Sequence, residues 1–433
     1  MPTKIKLRDA ISIGVGGMVG GGIFAVLGLA TNLAKGGTPI SFLIAGAIAL
    51  LTSYSYSKLS FSYPDRGGTV RFVNQGFGIG VFSGGVNNLL WISYIIMLAL
   101  YASAFGSYAP NLLSMTGDQT IDSHIYASGI VIFATGINYY SIAVVSKIES
   151  IAVVTKLVIL LGFVAVGVYG LFGNPYLEQL SPQYWESPFH LVSAGMVIFV
   201  AYEGFELIAN AAPDIENPEK NISKAYSISV IFVIALYITI ACVTVGSLGF
   251  DQIAGAEDYV LAEAAKPMLG QIGFTVITVA ALLSTFSAIN ASLYGGSRVN
   301  YEIAEDDEAP HQFTGMFWNQ PIGLLITSVA TLVAVNVLAL ESISTAGSVG
   351  FLFIFSVVNL VAYRLSKEIK GNRLISGVGS VACGVALVAL IAQQFTSNRL
   401  SVYIAASIVV GCFLAEFVFK QREHPAQKKH ENR

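Results

Sequence analysis

The sequence predicts an all-α polytopic membrane protein with twelve membrane-crossing helices. Three observations carry that expectation. Of the 433 residues, 54% are hydrophobic and 11% are Asp, Glu, Lys or Arg, against roughly 25% charged residues in an ordinary soluble domain; the mean hydropathy is +0.68. Charge-poor runs near the roughly 20 residues needed to cross the hydrocarbon core recur along the chain at 10–33, 39–60, 80–109, 125–143, 150–172, 188–212, 225–249, 268–296, 321–340, 343–363, 375–395 and 401–419. Lys and Arg then divide unevenly between the alternate connections. Of 23 in all, only Lys35, Lys266 and Arg399 fall on the side opposite the N-terminus, and Lys156 lies inside a span. That bias places both termini in the cytoplasm of a multi-pass cell-membrane protein.

The same figures exclude other classes. A net charge of −3 gives no basic field for nucleic acid. Cys242, Cys383 and Cys412 lie in apolar runs without paired spacing, and the five histidines have no metal-ligand spacing. No metal or organic cofactor is expected.

The first span follows Lys4, Lys6 and Arg8 and is too long for a signal-peptide core. From Gly14 to Gly28 it reads GVGGMVGGGIFAVLG, with seven glycines, each costing a helix interior about 1 kcal/mol relative to alanine. Close helix packing, as in small-xxx-small motifs, accounts for Gly16 and Gly20. An unwound midpoint that exposes backbone to a solute accounts for them equally well.

Spans 2 to 4 are unremarkable apolar runs. Span 5 contains Lys156 in VVTKLVIL, either snorkelling to the cytoplasm or buried as an amine able to exchange a proton. Span 6 reads FVAYEGFELIANAAP and places Glu203, Gly204 and Glu206 near its centre. Carboxylates at that depth cost about 2.5–3.5 kcal/mol each and face protein or a water-filled cavity. Lys156 alone cannot neutralise both.

Interruptions in spans 1 and 6 are what two five-helix repeats produce, with a solute site between them. The half-helix starting near Gly22 offers free N–H groups at Gly20, Gly21, Gly22 and Ile23 to a carboxylate. Carbonyls around Val200, Ala201, Tyr202 and Glu203, with Glu206 nearby, suit an ammonium group. A solute with both groups on one carbon is an α-amino acid. Span 8 (LLSTFSAINASLYGG) adds Ser284, Ser287 and Asn290, as partners for Lys156 or as packing polars. Spans 9 to 12 carry no such features, and spans 11 and 12 show no interface signature. The tail from Lys420 is polar and solvated.

With these residues in place, the chain resembles the amino acid–polyamine–organocation transporter superfamily over nearly its whole length. GGMVGGGIF (16–24) resembles the family's first-helix glycine motif, and YPDRGGTVRF (63–72) its loop after span 2. AYEGFE (201–206) with DIENPEKNISKA (214–225) resembles the broken sixth helix and following loop. GGSRVNYEIAEDDEAP (295–310) resembles the stretch after span 8, with Glu305-Asp306-Asp307 where Arg-Asp-Gly is usual.

The resemblance implies a LeuT-type 5+5 inverted repeat: 10–172, then 188–363, two further helices over 375–419, and a cytoplasmic tail over 420–433. It is nearest to a proton-coupled archaeal member, which implies that Lys156 takes the place of a bound cation between helices 1, 5 and 8. Gly16 then supplies a carbonyl and Ser284 or Ser287 the helix-8 contact. Glu206 implies a gating or supporting role. The implied activity is secondary amino acid transport, by proton symport or by proton-independent exchange, with a non-transporting sensor as another reading. An intramembrane enzyme would need a catalytic cluster at depth, and no Asp or His lies mid-span.

Overall fold

The computed structural model describes the backbone of residues 4–140, 142–306, 308–309, 311–317 and 320–430, and their side chains except at 142–150, 311 and 422–430. Asp307 and Pro310 of the loop motif, the side chains of Lys147 and Glu149, and the charges of the tail beyond Gln421 lie outside the described residues.

The chain is almost wholly helical. In order it forms α1 (Leu7–Met18), α2 (Gly22–Ala34), α3 (Thr38–Ser62), α4 (Thr69–Phe77), α5 (Val81–Tyr108), α6 (Gln119–Tyr140), α7 (Ile142–Leu171), α8 (Pro188–Val197), α9 (Leu207–Ala211) and α10 (Pro218–Ser247). It continues with α11 (Phe250–Gly255), α12 (Val260–Glu263), α13 (Lys266–Glu305), α14 (Ile322–Val337), α15 (Leu340–Arg364), α16 (Arg373–Ser397) and α17 (Arg399–His430). A small ribbon pairs β1 (Met316–Phe317) with β2 (Gln320–Pro321).

Eight helices are long and apolar enough to cross a membrane, and two bent pairs raise the number to ten among the described residues. The pairs are α1 with α2, at 47°, and α8 with the segment Phe199–Asp214, at 53°. The two remaining expected spans are helical but weaker: α14 has only 16 residues, and α6 brings Asp122 and His124 into its first turns. Several helices outrun the apolar segments. α13 runs 40 residues to Glu305 where 268–296 is apolar, α10 starts at Pro218 instead of 225, and α17 continues through the tail to His430. Charge marks where the hydrocarbon ends, not where backbone hydrogen bonding does.

The core holds an aromatic cluster in which Tyr56 meets Phe205 edge-on at 5.5 Å and Phe355 at 5.6 Å. The stretches at the two breaks lie inside protein: Gly20 to Ala30 and Phe199 to Phe205 are all buried.

Candidate functional site at the two helix breaks

The first break lies at Val19–Gly21, between α1 and α2. Consecutive glycines fit here because the space is small. A Cβ at Gly21 would lie 2.5 Å from Tyr101 Cδ1, at Gly20 3.0 Å from Ala288 Cβ, and at Gly22 2.9 Å from Ala201 Cα. α2 starts at Gly22 with no side-chain cap, so its first-turn N–H groups have no intrahelical carbonyl.

Carbonyls released by this break are taken by donors from other helices. The Ser284 hydroxyl donates to Val19 O (3.1 Å) and Gly20 O (2.9 Å), and the Tyr237 hydroxyl to Met18 O (2.6 Å). Just before the break, the fully buried Lys156 donates from Nζ to Gly16 O at 3.0 Å. Lys156 therefore does not snorkel; it ties α7 to α1. Gly16 itself faces α7, where a Cβ would lie 3.2 Å from Val153 Cγ2.

The second break is built differently. A short 3-10 turn, Phe199–Tyr202, follows α8. Gly204 then takes φ +118°, a conformation that side-chain-bearing residues rarely adopt. The Ser348 hydroxyl donates to Val197 O (3.0 Å) and accepts from Val200 N (3.2 Å), while Ser344 donates to Val197 O (2.9 Å). Two carboxyls lie at the turn. Tyr101 donates to Glu203 Oε2 at 3.0 Å, and the Gly204 N–H donates to Glu206 Oε2 at 2.8 Å. Both are buried, 3% and 2% exposed.

The two breaks touch. A Cβ at Gly204 would lie 2.4 Å from Gly17 C, and one at Gly17 would lie 2.7 Å from Gly204 O. Tyr237 spans them, donating to Met18 O on one side and Ala201 O (3.2 Å) on the other.

Gly20, Gly21, Gly22, Ile23, Val200, Ala201 and Glu203 thus lie together at the paired breaks, all buried. Tyr202 turns away, donating to Phe42 O on α3 at 2.8 Å. Of the two serines on α13, Ser284 reaches the break, while Ser287 is buried farther along the helix. Asn290 accepts from Asn138 on α6 at 2.8 Å. The sequence reading missed Tyr101, Tyr237, Ser344 and Ser348. Each is a polar residue in an apolar run, which marks an inward face without saying toward what.

Two cavities are lined partly by the helices that carry or flank the breaks. One, about 470 Å³, is bounded by Ser103, His124, Glu257, Asp258 and Leu340. The other, about 440 Å³, is bounded by Ile5, Arg66, Asn138, Asn210, Asp214 and Asn290. At the mouth of the second, Arg66 pairs with Asp214 at 3.2 Å. Ile5 also forms a parallel bridge to Ile215: Ile5 N donates to Asp214 O (2.9 Å) and Glu216 N to Ile5 O (2.8 Å).

Comparison with known proteins agrees with this architecture. A family model described as amino acid permease matches residues 5–415. The chain is 32% identical to the uncharacterized protein MJ0609 of Methanocaldococcus jannaschii, over 96% of this chain and 95% of that one. It is 31% identical to the inner membrane transport protein YbaT of Escherichia coli, over 95% of each. It is 25% identical to the branched-chain amino acid permease BcaP of Bacillus subtilis, over 70% of this chain and 67% of that one. The chain belongs to the amino acid permease family, and it is a multi-pass membrane protein rather than an enzyme.

Proposed function

We propose that this amino acid permease family member is a secondary transporter that takes up amino acids by alternating access, in symport with protons. Its twelve helices are read as a five-plus-five inverted repeat with two added helices. It sits in the cytoplasmic membrane with both termini inside, as the Lys and Arg bias favours. The observation that carries the reading is the pair of touching helix breaks, with an uncapped α2 N-terminus facing a carbonyl- and carboxyl-bearing turn. The first suits the carboxylate of an amino acid and the second its ammonium group. The likeness to the branched-chain amino acid permease of Bacillus subtilis supports an amino acid as the solute.

Lys156 is the proposed coupling residue. An ammonium can donate three hydrogen bonds, and one of them reaches Gly16 O at 3.0 Å, next to the break. Loss of the proton removes the charge that holds α1 to α7. Coupling then requires that the amine's proton affinity differ between the two open states, because equal affinity shifts nothing. Counterflow in proteoliposomes, with each of the twenty amino acids, tests transport: no exchange with any of them defeats it. An imposed pH gradient tests coupling, since uptake that ignores the gradient favours exchange.

A further inference from the structure

The second cavity, on the side of Ile5 and Asp214, has polar groups that the fold leaves unspent. Resting on the transport reading above, we propose that it is a further amino acid site, which holds the solute as a zwitterion next to the breaks. Its volume of about 440 Å³ falls within the roughly 300–1,000 Å³ usual for small-molecule sites. It adjoins the breaks. In its lining, Leu207 directly follows Glu206, and Ile13 stands about one helical turn before Gly17. Asn138 and Asn290 are its most buried polar members, 4% and 3% exposed, and are joined by a hydrogen bond of 2.8 Å. Arg66, Asp214 and Arg298 are its charged members, each at least partly exposed.

Arg298 stacks on Tyr294, its guanidinium carbon 4.9 Å from the ring centre, and makes no hydrogen bond or ion pair among the described residues. A guanidinium presents five N–H donors in a fork that matches a carboxylate. The Asn210 amide on α9 likewise makes no hydrogen bond among the described residues. Asp214 gives Oδ2 to Arg66 at 3.2 Å, and its Oδ1 accepts nothing among the described residues. The Arg66 and Asp214 side chains are 59% and 36% exposed, and exposed pairs hold weakly, so an ammonium can share Asp214 with Arg66. An amino acid carries on one carbon a carboxylate for Arg298 and an ammonium for Asp214. Ile13, Leu207 and Ala291 give its side chain an apolar wall. A lone anion would face Asp214, and a lone cation would face two guanidiniums; the mixed lining favours the zwitterion.

Equilibrium dialysis of the full chain in detergent tests this, with a tritiated mixture of the twenty L-amino acids. Wild type should saturate with a second amino acid per chain beyond the one at the breaks. Arg298→Gln should raise the concentration needed for the second about tenfold, as for a lost hydrogen bond to a charged group, and leave the first unchanged. Asp214→Asn should do the same, and amino acid methyl esters, which lack the carboxylate, should fail to compete for the second. Should Asp214→Asn not fold without its pair to Arg66, Arg298→Gln breaks no bond of the fold and decides alone. A single bound amino acid that Arg298→Gln leaves in place would overturn the proposal, as would a second that Arg298→Gln leaves unweakened. A single bound amino acid lost in Arg298→Gln would keep the cavity site and overturn the site at the breaks. Absence of any binding, like absence of counterflow, would defeat the transport reading and this site with it.

Discussion

The two breaks solve one problem by opposite means. The break between α1 and α2 has no polar side chain of its own, and its free carbonyls are served by Lys156, Ser284 and Tyr237 from three other helices. The break after α8 carries Glu203 and Glu206 within the turn itself, and Gly204 N–H caps one of them locally. A buried backbone group without a partner is costly, so the first break depends on its surroundings while the second is partly self-sufficient. Loss of a neighbouring donor therefore leaves the first break short of a partner, while the second keeps the bond between Gly204 N–H and Glu206.

The largest expected effect is where they meet. Gly204→Ala would force a side chain into a φ of +118° and place its Cβ 2.4 Å from Gly17 C. Strain of about 1–3 kcal/mol adds to a clash with backbone that cannot rotate away. Thermal unfolding in detergent should show a clear loss of stability, and transport should be lost. A wild-type melting curve would mean the breaks do not pack as described. Gly21→Leu belongs beside it: with Tyr101 Cδ1 at 2.5 Å and Thr285 Cγ2 at 3.0 Å from a Cβ, it should lose stability as well as amino acid binding.

Lys156→Ala sharpens the contrast next. It removes the donor to Gly16 O, so pH-gradient-driven uptake should disappear while amino acid binding in detergent persists. Accumulation at the wild-type level would make Lys156 structural. Tyr237→Phe removes a donor shared by both breaks, and the loss should be about 1–3 kcal/mol at roughly 1 kcal/mol per hydrogen bond with a margin for unsatisfied carbonyls. Ser284→Ala, which touches only the first break, should cost about 1 kcal/mol. If Ser284→Ala proved the more damaging, the dependence of the first break on shared donors would be wrong.

The smallest effect lies at the far end of α2, where Asn32 donates to Glu257 in the α11–α12 connection and Gly28 lies against the Glu257 backbone. Burial raises the Glu257 carboxyl above its ordinary value, against the Asn32 hydrogen bond, and Asp258 and Glu341 raise it further. The folded chain thus binds this proton more tightly than the unfolded chain. Its contribution is fully present below the ordinary carboxylate value and declines as pH rises through the raised one. Glu257→Gln should flatten the melting temperature across that window, and an unchanged pH profile would remove Glu257 from it.

The sequence by itself determined that this chain lives in a membrane and where its helices weaken. Charge-poor runs and the Lys and Arg bias follow from the cost of charge in hydrocarbon, which acts on composition alone. The glycines of 14–28 and the carboxyls of span 6 were legible for the same reason: each breaks a local rule. Tertiary structure decided what those rule-breakers touch. No spacing could show that Gly17 meets Gly204, that Tyr237 reaches both breaks, or that Tyr202 turns to Phe42. Those contacts join residues far apart in the chain, and a helix of 3.6 residues per turn fixes which side chains share a face but not which helix that face will meet.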